Sequence, residues 1–112
     1  MSYIINGLIT DSNGTKCWYK NNKLHRIDGP AIEYTSGTKY WFNNDRRHRI
    51  DGPAVELFNG DKYWYLNDKL HRVDGPALEH INGYKEWYFK GKHIECSSQE
   101  EFERLMKLSI FW

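Results

Sequence analysis

The sequence predicts a mainly β protein in which tandem 23-residue β-hairpin repeats form an extended antiparallel sheet, capped by a C-terminal α-helix. Three observations predict it. Gly14, Gly37, Gly60 and Gly83 stand 23 residues apart without a slip. Trp18, Trp41, Trp64 and Trp87 keep the same period, the mark of one supersecondary unit copied along an axis. The phase then stops at Cys96, where SSQEEFERLMKLSIFW takes over with helical spacing. The 112 residues form a single domain: an N-terminal partial repeat over 1–13, four hairpin repeats over 14–96 and a capping helix over 97–112.

In residues 1–13, Leu8, Ile9 and Thr10 fall where Ala31, Ile32 and Glu33 fall one period later, as in the second half of a degenerate unit. The full units follow as GTKCWYKNNKLHRIDGPAIEYTS from Gly14, GTKYWFNNDRRHRIDGPAVELFN from Gly37 and GDKYWYLNDKLHRVDGPALEHIN from Gly60. The fourth, GYKEWYFKGKHIECSS from Gly83, is cut short. Each opens with a ring-rich alternating strand such as 37–42. The pairs Asn21-Asn22, Asn44-Asp45, Asn67-Asp68 and Lys90-Gly91 come next, where a tight hairpin turn needs left-handed backbone. The returning strand carries LHRIDGPAIE or a relative, and its Pro30, Pro53 or Pro76 cannot donate a ladder hydrogen bond. The Asp-Gly-Pro step is therefore expected to be a bulge or bend dividing that strand.

Alternation points Tyr40 and Phe42 one way and Lys39, Trp41 and Asn43 the other, so both faces carry rings. Equivalent residues of successive hairpins should lie about 10 Å apart, wide enough for a side chain between two Trp rings. Ile27, Ile50 and Val73, or Ile32, Val55 and Leu78, are the candidates for that place. In the terminal segment Ser98 and Glu101 have capping-box spacing, and Phe102, Leu105, Met106, Ser109 and Ile110 make one mostly apolar face. Its expected role is to cover the edge of the last hairpin, with dimerisation or partner docking through the same helix as the alternative.

Sixteen basic against fifteen acidic side chains exclude a global field that would draw nucleic acid or an anionic membrane. MSYIINGLIT lacks the basic and apolar regions of a secretion signal, and no 18-residue apolar run occurs, so a cytoplasmic location is the default expectation. The phased histidines are too far apart to share a zinc ion, and neither cysteine has metal-type spacing. Cys17 and Cys96 should lie about 30 Å apart, beyond disulfide reach. No cofactor is expected.

The triplets His25, Arg26, Asp28; His48, Arg49, Asp51; and His71, Arg72, Asp74 could serve a small hydrolase, as acid and base groups. An enzyme needs one asymmetric constellation in a pocket, and three equivalent copies argue for Arg–Asp pairing and turn fixation instead. A further alternative is phosphate, lipid or nucleic-acid binding through Lys16, Lys39, Lys62 and Lys85 beside the Trp row, with Arg26, Arg49 and Arg72 nearby. Glu33, Glu56 and Glu79 recur at the same frequency and would occupy those lysines in cross-strand pairs.

The unit with W-Y-x-N-x-K-L-H-R-x-D-G-P-A over residues 14–96 resembles a variant of the MORN repeat, in the form found in uncharacterised proteins of bacteriophages and giant viruses. The resemblance implies an extended twisted sheet that binds protein or lipid and is not itself catalytic. It departs from the pattern where Arg47 replaces the apolar Leu24 and Leu70, and where the fourth unit loses HRxDGPA. A short array of phage type implies an inhibitor that docks on a host protein in the host cytoplasm, such as a CRISPR-type defence nuclease. Identical units discriminate poorly, so the expected partner-binding residues are the phase-breaking Arg46, Arg47, Leu66, Phe89, Phe111 and Trp112, with the in-phase Trp87 beside Leu66 and Phe89.

Overall fold

A computed structural model describes residues 3–108 as a row of antiparallel hairpins closed by one helix. The strands are β1 (Gly7–Thr10), β2 (Lys16–Lys20), β3 (Lys23–Leu24), β4 (Ile32–Glu33), β5 (Lys39–Tyr40), β6 (Phe42–Asn43) and β7 (Arg46–Arg47). They continue as β8 (Val55–Glu56), β9 (Lys62–Tyr63), β10 (Tyr65–Leu66), β11 (Lys69–Leu70), β12 (Leu78–Glu79), β13 (Lys85–Phe89) and β14 (Lys92–Ile94). The main sheet runs β1-β2-β4-β5-β8-β9-β12-β13-β14, with β3 on β2, while β6-β7 and β10-β11 form separate two-stranded ladders.

That split has a local cause. Trp41 N–H donates to Ala54 O at 2.7 Å and Trp41 O accepts from His48 N–H at 3.1 Å, so His48 and Ala54 both return to the same residue. Residues 49–53 must therefore loop out between them, as the proline predicts. The ring-rich strand pairs with Val55 and Glu56 before Trp41 and with Arg46 and Arg47 after it. The 26–30 and 72–76 loops arise the same way around Trp18 and Trp64. The divided strand is as expected; the expected single sheet becomes one sheet with side hairpins.

The N-terminal partial repeat lacks such a loop. Ile5 N–H donates to Asn22 Oδ1 at 2.6 Å, where Leu24 N–H donates to Asp45 Oδ1 at 2.7 Å one unit later. With no bulge to accommodate, β1 runs unbroken beside β2, Ile9 opposite Cys17 and Thr10 opposite Lys16. Ile32 and Glu33 hold the same register opposite Tyr40 and Lys39 one unit later.

Two turn types alternate. At one edge, both central residues of each tight turn have positive φ: 49° and 68° at Asn21-Asn22, 50° and 84° at Lys90-Gly91. That is the type I′ geometry, whose twist matches the flanking strands. At the other edge Gly37, at φ 101°, donates its N–H to Tyr34 O at 3.0 Å and closes the link between units.

Burial is divided between small residues in the sheet and large ones in the cap. Ala31, Ala54 and Ala77 are fully buried where the loops rejoin the sheet, and Val55 is buried beside them. The helix α1 (Gln99–Lys107) starts at Ser98, whose hydroxyl accepts Glu101 N–H at 3.1 Å. Phe102 is fully buried against Trp87 and Ile94, with Phe89, Cys96, Leu105 and Met106 around them. The helix thus covers the last hairpin. Ser109, Ile110, Phe111 and Trp112, assigned to the apolar face or to partner binding, lie outside the described residues.

Candidate functional site

The repeated Arg organises each loop. Arg49 lays its guanidinium 3.9 Å from the centre of the Trp41 ring, and Arg26 and Arg72 do the same at 3.8 Å on Trp18 and Trp64. Nε of Arg49 donates to Asp51 at 3.2 Å, while Nη1 donates to Pro53 O at 3.0 Å and to Glu56 at 3.4 Å. The loop is thereby pinned at its middle and its end, and only a planar fork of donors can reach all three acceptors while stacked on a ring. The glycine supplies the other wall: a Cβ on Gly52 would stand 2.8 Å from Arg49 Cζ, and one on Gly75 2.6 Å from Arg72 Cζ. A methyl group at either position would have to push the guanidinium aside.

This overturns the expected interleaving of aliphatic and Trp side chains. The place against Trp18, Trp41 and Trp64 is taken by Arg, because the bulge turns the next residue outward. Ile27, Ile50 and Val73 stand 90%, 86% and 56% exposed at the loop crests, each followed by a solvated Asp. Of the alternative set, Val55 is buried and Ile32 and Leu78 are half-buried beside the ladder.

Successive loops enclose two equivalent clefts. One, of about 770 Å³, is floored by Trp64 and Leu66 and walled by Ile50 and Val73 with their neighbours. The other, of about 720 Å³, is floored by Trp41 and Phe42 and walled by Ile27 and Ile50. They form one continuous surface with an aliphatic crest and Arg-covered rings below.

The histidines hold neighbouring hairpins together. Nδ1 of His25, His48 and His71 accepts the backbone N–H of Asn44, Asn67 and Lys90 at 3.2, 3.0 and 2.9 Å. Beside them Asp45 and Asp68 accept Leu24 N–H and Arg47 N–H at 2.7 and 2.8 Å. At the opposite edge Asp61 Oδ1 takes Ile81 N–H at 2.8 Å and Thr38 Oγ1 takes Phe58 N–H at 3.0 Å. The Ile81 N–H, with lesser help from His80 and Asn59, holds the Asp61 carboxyl below its usual pKa.

An acceptor at Nδ1 is lost on protonation. Burial, with Lys90 adding to it, lowers the His71 pKa below the ordinary value of 6.5. The folded protein therefore binds fewer protons there than the unfolded chain, and the contribution of His71 is complete above about pH 6.5 and lost as pH falls through the lowered value. The urea midpoint should drop between pH 7.5 and 5, and His71→Gln should shrink that drop. An identical pH profile in the variant would show that the clamp is silent.

Of the residues expected to bind a partner, Arg46 is exposed at its turn, and Leu66 lies half-buried in the cleft between loops. Arg47 is engaged, its Nε on Asp68 at 2.9 Å and its guanidinium 4.1 Å above Tyr65. Trp87 is a correction: it is buried under the helix, and its Nε1 donates to Gln99 Oε1 at 2.8 Å. Phe89 packs against the same cluster and against His71, 4.9 Å between ring centres. Leu66, Trp87 and Phe89 hence form no common exposed patch.

Lys16, Lys39, Lys62 and Lys85 do alternate with Glu33, Glu56 and Glu79 in the ladder. The short ion pairs of Glu56 and Glu79 nonetheless go to Arg49 and Arg72, at 3.4 and 3.1 Å. Among the described residues, no group of three or more His, Cys, Asp or Glu is placed to hold a metal ion, and no helix is long and apolar enough to cross a membrane. Cys17 and Cys96 are unbridged. The outward row of Ile27, Ile50 and Val73 was hidden from alternation because a bulge resets facing; the proline one period apart was its only signal. Comparison with family models, with curated proteins and with solved structures finds no match.

Proposed function

We propose that this protein is a non-enzymatic binding module that docks another protein on its crest of loops. The observation that carries this reading is the row of Ile27, Ile50 and Val73, each the most exposed apolar group of a loop whose other side chains are tied down. None contributes to the core, and covering one fully contributes roughly 1.5–3 kcal/mol. Leu66 in the cleft floor and Asp28, Asp51 and Asp74 on the rim give that surface an apolar centre and a polar margin, the arrangement of protein interfaces.

The histidines do not favour the hydrolase alternative, since each accepts a backbone N–H at Nδ1. The Lys–Glu alternation does not favour the phosphate alternative on that strip. The finer reading, a phage-encoded inhibitor of a host defence protein such as a CRISPR-type nuclease acting in the host cytoplasm, draws its support from the likeness of the repeat alone. Dimerisation through the helix would compete with the burial of Phe102 and Leu105 in the cap.

The test pairs capture with stability. Wild-type protein and the Ile50→Asp/Val73→Asp variant are used as bait in cell lysate, with thermal melts of both. The variant should melt with the wild type, because exposed substitutions stay within about 0.5 kcal/mol, and should lose the proteins that the wild type retains. Equal capture by both would remove the crest as the docking surface.

A further inference from the structure

The type I′ turns project from one edge of the array, and that edge carries the charge. Segments 20–24, 43–47, 66–70 and 89–92 hold seven Lys or Arg against two Asp, while the rest of the chain holds nine against thirteen Asp or Glu. A net charge of +1 thus conceals +5 on the turn edge and −4 elsewhere. Both edge carboxylates are engaged, Asp45 with Leu24 N–H and Asp68 with Arg47 N–H and Nε. Lys23, Arg46 and Lys69 repeat at one position of successive units, are exposed, and form no ion pair within 4.0 Å among the described residues.

Between successive turns lie two small clefts. One, of about 280 Å³, is lined by Lys23, Asn43, Asn44, Arg46 and Asn67. The next, of about 410 Å³, is lined by Arg46, Leu66, Asn67, Lys69, His71 and Lys90. No carboxylate lines either one, and both offer amide and cationic donors suited to an anion. Two strands per unit set the clefts about 10 Å apart.

We propose that the turn edge binds an extended acidic polypeptide segment, with carboxylates entering successive clefts. A polyproline II helix rises about 3.1 Å per residue with three residues per turn, so every third side chain returns to the same side after about 9 Å and meets this spacing. Nucleic acid fits less well. Two rings near the edge lie under cations, Tyr65 under Arg47 at 4.1 Å and Phe89 under Lys90 at 5.3 Å, which leaves fewer open faces on which bases could stack. The inference rests on the protein-binding reading only in taking the anion to be a polypeptide, and it concerns the turn edge, which shares Leu66 and His71 with the crest cleft but not Ile50 or Val73.

The test uses a fluorescein-labelled peptide of five Glu-Pro-Pro repeats, its Gln-Pro-Pro counterpart and oligo(dT), with anisotropy read at low salt. The Glu peptide should bind more tightly than the Gln peptide, and Lys23→Glu/Arg46→Glu/Lys69→Glu should weaken it at least tenfold, with Lys23→Gln/Arg46→Gln/Lys69→Gln as the milder set should the first not fold. Ile50→Asp/Val73→Asp should bind it as the wild type does, which separates this edge from the crest. Equal affinity for the two peptides, unchanged binding by the charge variants, or tenfold tighter binding of oligo(dT) would overturn the proposal.

Discussion

Phe102→Ala should destabilise the protein by about 3–5 kcal/mol, the range for removing a buried phenylalanine ring. Phe102 is the one large side chain among the described residues that is fully enclosed, and it joins the helix to Trp87 and Ile94 on the last hairpin. The sheet offers little to compensate, because its own fully buried residues are alanines. Small domains hold about 5–15 kcal/mol in all, so the variant should be near the limit of folding at room temperature. Urea titration followed by tryptophan fluorescence measures it. A loss below 1 kcal/mol would mean that the helix does not seal the array.

Arg72→Ala should cost about 2–4 kcal/mol, and Arg72→Lys should recover less than half of it. The cation–π stack on Trp64 contributes roughly 1–2 kcal/mol when partly desolvated, and bonds to charged groups roughly 1.5–3. Lysine keeps the charge but cannot serve Asp74, Pro76 O and Glu79 from one plane, as Arg72 does at 2.9, 3.1 and 3.1 Å. Gly75→Ala should fall in the same direction, since its Cβ would push the guanidinium off the indole. Denaturant melts of the three variants decide it. Full rescue by lysine would reduce the contact to simple charge.

The period, the hairpins, the tight-turn chemistry and the capping box were all legible, because each depends on neighbours within one unit. The sign of exposure in the loops was not. Ile27 and Ile50 belong to one of the two sets that qualify for the place between Trp rings, yet a bulge between His and Ala inserts residues that follow neither face. The partner of each Trp was equally hidden, since stacking by Arg needs the third dimension that glycine opens at Gly29, Gly52 and Gly75. Phe89 breaks phase, which reads as specificity for it and for the in-phase Trp87 beside it; the helix, rather than another unit, packs on both. The turn-edge cations were in phase and visible, but the chain-wide charge balance masked them.

The clamps between units have a reach shorter than the period. His25 to Asn44 spans 19 residues and Leu24 to Asp45 spans 21, against a repeat of 23. A unit duplicated in place would therefore bring a complete set of clamps with it and leave those of its neighbours intact. Length in such a protein is an inherited variable that a single in-frame duplication can change without relearning how to fold, and each added unit would move the two ends about 10 Å further apart.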